Sequence, residues 1–264
     1  MKTHRLDYNF PDGRSELLMQ HEQAKHMLHC HGFDELVFVL KGSGTHIINE
    51  DEYPIIRGDV FVVHENHAHT FGHLNHLKLA NIIYQRDFFH ELKKEFADNK
   101  GFKTLFETEP RYRKEHQFKA RLRLTPQQLD TILPLIKLMD EETQKKRYGY
   151  KSAVEHIFKL ILIQVCRYYT ETTAPRSIGL VKISSAIDYM EKNYPEEISV
   201  DHLANKADMA SSTFRRIFKQ TTGLTTSSDT KTAVKAINID VWSFLAFICS
   251  HAGENYKLDI IDYI

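Results

Sequence analysis

Residues 29–42 read HCHGFDELVFVLKG, and this run carries the strongest fold signal in the chain. Its centre, residues 36–40, is short and rich in β-branched and aromatic residues, and it stops at a turn signal at residues 41–44. Further short apolar runs, separated by Gly, Asn and Asp, follow at residues 45–48, 53–56, 60–63 and 77–84. Several short strands with turns between them predict a small β-barrel or sandwich.

The composition supports folded domains and excludes several classes of protein. The chain has 264 residues, 42% of them hydrophobic, and its 35 basic side chains balance its 35 acidic ones. That apolar fraction is enough to build cores, and no apolar run approaches the roughly 20 residues that cross a bilayer. The first residues lack the apolar segment of a secretory signal. Three scattered cysteines, Cys30, Cys166 and Cys249, make neither a disulfide framework nor a zinc set. We therefore predict a cytoplasmic protein that does not contact membranes.

The histidines are concentrated near the start of the chain, where 11 of the 16 lie within the first 76 residues. The spacing of several of them, with a glutamate and two glycines, resembles the two sequence motifs of cupin barrels. The matching residues are His29, His31, Glu35, Gly42, Gly58 and His69. The first motif lacks its leading glycine, and the second has His64 and Asn66 where proline and glycine are usual. The resemblance implies a cupin-like barrel.

In metal-binding cupins the positions that match His29, His31, Glu35 and His69 hold one divalent ion. The physics allows this, because alternate residues of one strand face the same side, so that His29 and His31 can both point into the barrel. Three imidazoles and a carboxylate suit Mn, Fe, Co, Ni or Zn. The alternative is that these residues pack and form hydrogen bonds in an organic-ligand pocket, as in many cupin-like sensor domains. We predict a small polar effector, a sugar first of all, with no required cofactor and a divalent metal as the open alternative.

The other histidines of this region are predicted to lie on the surface or in turns. They are His46, His64, His67, His73 and His76. We assign no ligand role to them.

The middle of the chain is predicted to be helical. Thr125 is a hydroxyl N-cap with Pro126 at the first helical position, and apolar residues then recur at helical spacing, with Pro134 expected to kink the helix. A second helix, residues 152–169, is apolar over much of its circumference and needs partners on two sides. Packing on the barrel supplies one partner. A second copy of the chain is predicted to supply the other, so that the protein is a homodimer.

A linker and a pair of short helices follow. Residues 172–178 contain a proline and no apolar period, which indicates a linker and a domain boundary. Beyond it Ser199 caps a short helix, and residues 211–221 form another helix that ends at Gly223. Two short helices joined by a tight turn describe a helix-turn-helix.

The second of these helices divides into an apolar face and a basic face. Phe214, Ile217 and Phe218 fall together and are predicted to pack inward. The opposite face holds Ser212, Arg215, Arg216 and Lys219. A recognition helix in the major groove needs this division, because its buried side orients it while long donors reach guanine edges and phosphates.

The amino-acid sequences of these segments closely resemble those of AraC-family transcription regulators. The matching segments are residues 198–204 and 209–225 for the first helix-turn-helix of the family, and residues 31–46 and 58–61 for its sensor domain, including the rhamnose-responsive branch. Ala210 stands where the family usually has a serine cap, and Ser211 is expected to substitute for it. The resemblance covers roughly residues 20–225. It implies a cytosolic, usually dimeric regulator that binds a small effector in the barrel and double-stranded DNA through its C-terminal domain.

Residues 226–264 depart from the family pattern. They lack the residues of the second helix-turn-helix that AraC-type domains carry, and they contain an apolar run at 241–249. Either a frameshift or true divergence would produce such a segment. We expect the loss of the second motif to impair DNA binding and to make it depend on dimerisation.

These observations combine into an α+β protein of several parts. The predicted parts are a cupin-like effector-sensing barrel (1–95), a helical dimerisation segment (96–171), a linker (172–178), an all-α helix-turn-helix subdomain (179–225) and an atypical tail (226–264). The predicted function is a DNA-binding transcription regulator and not an enzyme. Two alternatives stay open: a metal-dependent cupin enzyme, and a truncated sensor that interferes with a full-length relative.

Overall fold

The computed structural model describes residues 3–6, 8, 10, 14–20, 28–114, 121–171, 175–193, 198–222 and 225. Within them the strands are β1 (His4–Leu6), β2 (Ser15–Gln20), β3 (His29–His31), β4 (Asp34–Ile48), β5 (Asp51–Ile56), β6 (Asp59–Val63), β7 (His69–Tyr84) and β8 (Leu122–Arg123). The helices are α1 (Arg86–Glu95), α2 (Lys100–Lys103), α3 (Glu109–Arg111), α4 (Pro126–Lys145), α5 (Tyr150–Glu171), α6 (Pro175–Lys192), α7 (Val200–Lys206) and α8 (Ser211–Thr222). A π-helical turn, Thr104–Thr108, joins α2 to α3. The predicted α+β class is confirmed.

The strands form one sheet built around β4 and β7. Neighbouring strands follow the order β1-β3-β7-β4-β6-β8, with β2 also paired to β7 and β5 to β4. The two long strands pair antiparallel from Asp34 opposite Tyr84 to Ile48 opposite His69, with register shifts between Val39 and Thr45. Such shifts bend a strand and increase its twist.

The sheet is curved but not closed, which corrects the prediction of a barrel. Over the ranges that the structure describes, the pairing order ends at β1 on one side and β8 on the other and does not return on itself. These edge strands have 3 and 2 residues, and each pairs with one neighbour, β1 with β3 and β8 with β6. The strand-rich first part was predicted correctly, and its closure was not.

The central strands are buried on both faces, and alternate residues belong to different cores. Leu36 and Phe38 of β4 join a core on the side of the helices, which we call the helix-side core. Val37 and Val39 join a second cluster on the other face, the inner core, together with Phe61 and other apolar residues. Because successive side chains of a strand point to opposite faces, an unbroken apolar run serves both cores.

The long helices cover the helix-side core. α4 begins after the predicted N-cap, Thr125. The structure adds a capping box that was not predicted: the Gln128 amide N–H donates to the Thr125 hydroxyl at 3.2 Å, and the Thr125 amide N–H donates to the Gln128 side chain at 2.9 Å. The helix continues past Pro134. Helix α2 approaches α5 so closely that a Cβ on Gly101 would lie 2.2 Å from the Cys166 carbonyl oxygen, so only glycine fits there.

The apolar stripe of α5 lies inside the chain, which removes the reason for predicting a dimer through it. Ile161 and Val165 are 0% exposed and Ile157 is 9% exposed. All three belong to the helix-side core. Within one chain the helix packs against both the sheet and α4, so the width of the stripe does not require a second copy.

The chain divides into two compact units. The first comprises residues 1–184 with 220–222, and the second comprises residues 185–219 with 223–264. The division therefore falls inside α6, after Ser184.

The predicted linker and tail are described only in part. Within the linker, residues 172–174 lie outside the described residues, and residues 175–178 form the start of α6. Proline suits this position, because its fixed φ matches the first turn of a helix and no donor is lost there. The tail prediction for residues 226–264 also lies outside the described residues. No helix in the described ranges has both the length and the apolar character that a bilayer crossing requires.

Candidate functional site

Three adjacent strands bring a glutamate and two histidines together on the inner face of the sheet. His31 ends β3, Glu35 lies near the start of β4 and His69 begins β7. Their exposures are 0%, 4% and 1%. We call His31, Glu35 and His69 the buried triad.

The polar atoms of the buried triad converge. His31 Nε2 lies 3.5 Å from one carboxylate oxygen of Glu35, and His69 Nε2 lies 3.7 Å from the other. One potential ligand atom from each residue falls within 4.8 Å of the others. His29, the fourth residue of the predicted set, lies outside this group. It faces His69 across the strand pair, with ring centroids 4.4 Å apart, and is partly exposed.

Backbone carbonyls determine which ring nitrogens carry the protons. His31 Nδ1 donates to the Phe33 carbonyl at 2.7 Å, and His69 Nδ1 donates to the His67 carbonyl at 3.2 Å. A carbonyl oxygen only accepts, so in each neutral ring Nδ1 holds the hydrogen and Nε2 presents a lone pair. Both lone pairs face Glu35. This second-layer arrangement is the one that orients histidine ligands in metal sites.

Burial keeps the triad uncharged near neutral pH. Desolvation raises the pKa of Glu35 to about 8, against the lowering effect of a hydrogen bond from Asn81. Desolvation also lowers the pKa of His31 to about 4 and holds the pKa of His69 well below its usual value. A single carboxyl proton cannot satisfy two imidazole lone pairs. Accordingly, His31 Nε2 and Glu35 Oε2 have no hydrogen-bond partner within the described ranges, so the triad can accept a further group.

His46 is buried, although it was predicted to lie on the surface or in a turn. It is 0% exposed and stacks between Phe61 and Phe71, with ring centroids 4.7 and 5.2 Å away. Its ring lies 5.9 Å from that of His69. The register shifts of β4 precede His46, so counting alternate residues from Glu35 does not predict which face it joins.

Arg113 also lies beside this site, although nothing in the sequence singled it out. Its guanidinium forms a two-point ion pair with the buried Glu109, with Nε–Oε1 and Nη2–Oε2 distances of 3.0 and 2.6 Å. It also donates to the Val62 carbonyl at 2.8 Å and lies over the Phe61 ring. The helical segment after the π-helical turn therefore contributes to the wall of the inner core.

The helices α7 and α8 place polar residues at the surface. Ser199 caps α7 by accepting from the His202 amide at 3.2 Å, as predicted. The predicted division of α8 is observed in its main features: Phe214 and Phe218 are buried and Ile217 is partly buried. The exposed residues on the other side include Ser212, Arg215, Arg216 and Lys219.

The start of α8 is tied to α7. Ser211, which was expected to replace a missing serine cap at Ala210, donates its hydroxyl to the Asp201 carboxylate. Asp208, in the turn between the two helices, has a left-handed φ of 52°. The turn and this hydrogen bond hold the two helices in one arrangement.

The family model of the AraC-like ligand binding domain matches residues 15–148, slightly more than half of the chain. The chain belongs to the AraC family. This membership confirms the prediction of an AraC-type regulator over that of a cupin enzyme.

Named relatives of this AraC-family chain are similar over most of its length. It is 28% identical over 206 residues to the HTH-type transcriptional activator RhaR of Mannheimia succiniciproducens, covering 78% of this chain and 69% of that protein. It is 24% identical over 224 residues to the HTH-type transcriptional activator RhaS of Escherichia coli, covering 84% of this chain and 76% of that protein. Among solved structures, ToxT from Vibrio cholerae matches 83% of this chain and 97% of its own at 12% identity, with a TM-score of 0.30.

Proposed function

We propose that this AraC-family chain is a transcription regulator that binds double-stranded DNA through α8 and is controlled by a small polar effector, a sugar, bound at the buried triad. The observation that carries the proposal is the division of α8. Two phenylalanines on one side are buried, while Arg215 and Arg216 on the other are exposed.

The exposed face of α8 has the chemistry of a recognition helix. Arg215 and Arg216 have the fork of donors that pairs with guanine edges, Ser212 is a shorter donor and acceptor, and Lys219 reaches phosphates as a point charge. The turn before α8 and the Ser211–Asp201 hydrogen bond support a helix-turn-helix, because they hold the helix at a defined angle to α7.

The buried triad has the chemistry of a site for an uncharged polar ligand. Two imidazole lone pairs accept hydrogen bonds from hydroxyl groups, and a protonated Glu35 can donate one. Apolar side chains of the inner core, such as Phe71 and Val63, surround these few polar groups. Ligand sites in proteins usually combine these two features.

A divalent metal is the second candidate occupant of the buried triad. His31 and His69 would bind it through their Nε2 lone pairs, and Glu35 would bind it as the carboxylate. The residues fit such an ion, since the lone pairs converge and one carboxylate oxygen has no other partner within the described ranges. A bound ion would supply a Lewis acid that orients a hydroxyl group of the effector.

We also propose that the protein acts in the cytoplasm as a homodimer. One helix-turn-helix module buries only about 600–1,000 Å² on DNA, which gives weak, salt-sensitive binding. Residues 226–264 do not carry the second motif of the family, and in a homodimer each chain would contribute one recognition helix.

Two measurements test the proposal. Fluorescence anisotropy with duplexes from the region upstream of the coding sequence should show saturable binding that weakens steeply with salt. Calorimetry with monosaccharides, with and without CoCl2, should identify an effector, which then changes the DNA affinity. Absence of DNA binding at low salt, with and without effector, would refute the proposal that the protein is a DNA-binding regulator. Absence of any sugar binding would refute the proposal that its effector is a sugar.

A further inference from the structure

Asn81 is a polar residue on the buried inner face of the sheet, and the function proposed above does not use it. It interrupts the apolar end of β7, where residues 79–84 read LANIIY. Its neighbours show which face it joins, since Leu79 belongs to the inner core, whereas Ala80 and Ile82 belong to the helix-side core. Because successive side chains of a strand alternate between faces, Asn81 lies on the inner face, where it is 4% exposed.

The strand pairing brings Asn81 next to the buried triad. Asn81 lies opposite Val37 of β4, two residues along that strand from Glu35. This is the diagonal spacing at which side chains of neighbouring strands on one face reach each other. The Asn81 side chain donates a hydrogen bond to the carboxyl group of Glu35. Glu35 therefore connects both ends of β7, because it also lies 3.7 Å from His69 at the start of that strand.

Asn81 has a buried polar atom that nothing in the described part of the chain satisfies. Within those ranges its side-chain oxygen, Oδ1, has no hydrogen-bond partner, and the same is true of His31 Nε2 and Glu35 Oε2. All three residues are at most 4% exposed. An unpaired buried polar group destabilises a fold, and native proteins pair nearly all such groups. Three unpaired polar atoms on residues gathered around one carboxyl group therefore indicate a bound polar molecule.

We propose that Asn81 is a ligand-contacting residue of the effector site, and that its Oδ1 accepts a hydrogen bond from one hydroxyl group of the sugar. The inference rests on the proposed effector binding at the buried triad and adds a residue that selects among sugars. The amide N–H of Asn81 is engaged by Glu35, so the side chain is held with its oxygen available. A carboxamide oxygen only accepts, so the ligand must carry a hydrogen at this point. A sugar that lacks that hydroxyl group loses this contact.

The experiment measures sugar binding by variants of the full chain. Asn81→Leu keeps the branching of the side chain and removes its polar atoms, and Glu35→Gln changes the triad itself. The control is Asn99→Ala, since Asn99 has a structural role: it caps α2 by accepting from the Phe102 amide at 2.9 Å. Calorimetry uses L-rhamnose, L-fucose, L-arabinose and D-xylose, followed by the monodeoxy derivatives of the sugar that the wild type binds most tightly. Thermal unfolding without sugar is measured for each variant.

The proposal expects Asn81→Leu to weaken binding of the preferred sugar at least about fivefold, as the loss of one hydrogen bond predicts. Its unfolding temperature stays the same or rises, because an unpaired buried group has been replaced by an apolar one. One monodeoxy sugar binds weakly to the wild type and equally weakly to Asn81→Leu, since the hydroxyl group that Asn81 contacts is already absent. Asn99→Ala lowers the unfolding temperature and binds sugar like the wild type.

Other results would overturn the proposal in distinguishable ways. If Asn81→Leu weakens every deoxy sugar by the same factor, Asn81 only positions Glu35 and does not contact the ligand. If Asn81→Leu binds like the wild type while Glu35→Gln does not, a buried water satisfies Asn81, and the proposed effector site stands. If none of the four sugars binds the wild type, the role of Asn81 and the proposed effector class fail together. If neither Asn81→Leu nor Asn81→Ala folds, the amide is held for structure and the proposal is wrong.

Discussion

The buried triad and the exposed face of α8 place their polar groups in opposite environments. In the first unit His31, Glu35 and His69 are at most 4% exposed. Backbone carbonyls accept hydrogen bonds from the two histidine rings and so fix their orientation. In the second unit the polar residues of α8 face solvent, and the buried residues are the phenylalanines behind them. A small ligand can be enclosed by a protein core, whereas a DNA groove can be met only at a surface. Removing the partner of a buried charge in the first unit should therefore cost stability, whereas substitutions on the exposed face of α8 should leave stability nearly unchanged.

The largest expected effect breaks the buried side of this comparison. Glu109→Ala removes the partner of Arg113 and leaves a guanidinium charge inside the protein. The loss in unfolding free energy should be about 3–5 kcal/mol, measured by urea denaturation. The control is Glu141→Ala, which removes an exposed partner of Lys145 on α4 and should leave the urea midpoint unchanged. Equal losses in the two variants would contradict the distinction between buried and exposed charge.

The exposed side is tested by Arg216→Ala. If Arg216 reads a guanine, binding to the preferred duplex should weaken by about 1–3 kcal/mol, and preference over scrambled DNA should be lost. Unfolding free energy should change by less than about 0.5 kcal/mol, because the side chain is exposed. Anisotropy titrations and urea denaturation measure the two quantities.

Lys219→Ala provides the matched comparison on the same face of α8. Losing a phosphate contact should weaken binding to all DNA sequences alike. It should also reduce the slope of log binding constant against log salt concentration by about 1. The assignment of base reading to Arg216 and phosphate contact to Lys219 is wrong if the two variants behave identically across preferred and scrambled duplexes.

A smaller effect on stability is expected from Glu35→Gln. At pH 7 the wild-type carboxyl is mostly protonated, since burial raises its pKa to about 8, and an amide has nearly the same shape. The unfolding free energy should change by less than about 1.5 kcal/mol. Binding of whichever neutral sugar or Co²⁺ the wild type binds should nevertheless weaken at least about tenfold. A strongly destabilised variant would mean that Glu35 is held for packing and not for a ligand.

The smallest effect is a difference in thiol reactivity that follows burial. Burial raises the pKa of Cys166 on α5 to about 12, while Cys30, between His29 and His31, is partly exposed. In a Cys249→Ser background, iodoacetamide at pH 8 should modify Cys30 at least about tenfold faster than Cys166, because the thiolate is the reacting form. Mass spectrometry of digests measures both rates. Similar rates would show that α5 opens to solvent more readily than its packing indicates.

Helix caps and the spacing of apolar residues correctly predicted the elements that depend on neighbouring residues in the sequence. Thr125 and Ser199 cap the helices that they were expected to cap, and the period of α8 separates Phe214 and Phe218 from its arginines. The cupin-type spacing likewise selected His31, Glu35 and His69, which the strand pairing brings together. Short-range patterns succeed here because capping and face alternation depend on backbone geometry alone.

The features that the sequence did not predict depend on contacts between distant parts of the chain. His46 changes face because β4 slips register against β7, and no spacing in the sequence records that slip. Arg113 reaches the inner core from the turn after α3, 51 residues from its Val62 partner. The apolar width of α5 was attributed to a second copy of the chain because a sequence does not show that α4 and the sheet cover both sides of the helix.

Strand β7 has a consequence for how the protein is made. Ser15 of β2, His29 of β3 and Asp34 of β4 all pair with residues of β7, at Tyr84, His69 and Tyr84 respectively. During synthesis the earlier strands leave the ribosome before the strand that joins them exists. The sensing half can acquire its shape, and with it any response to an effector, only after Tyr84 has emerged. Until then the nascent chain exposes unpaired strand edges, which makes this the interval in which chaperones would be needed most.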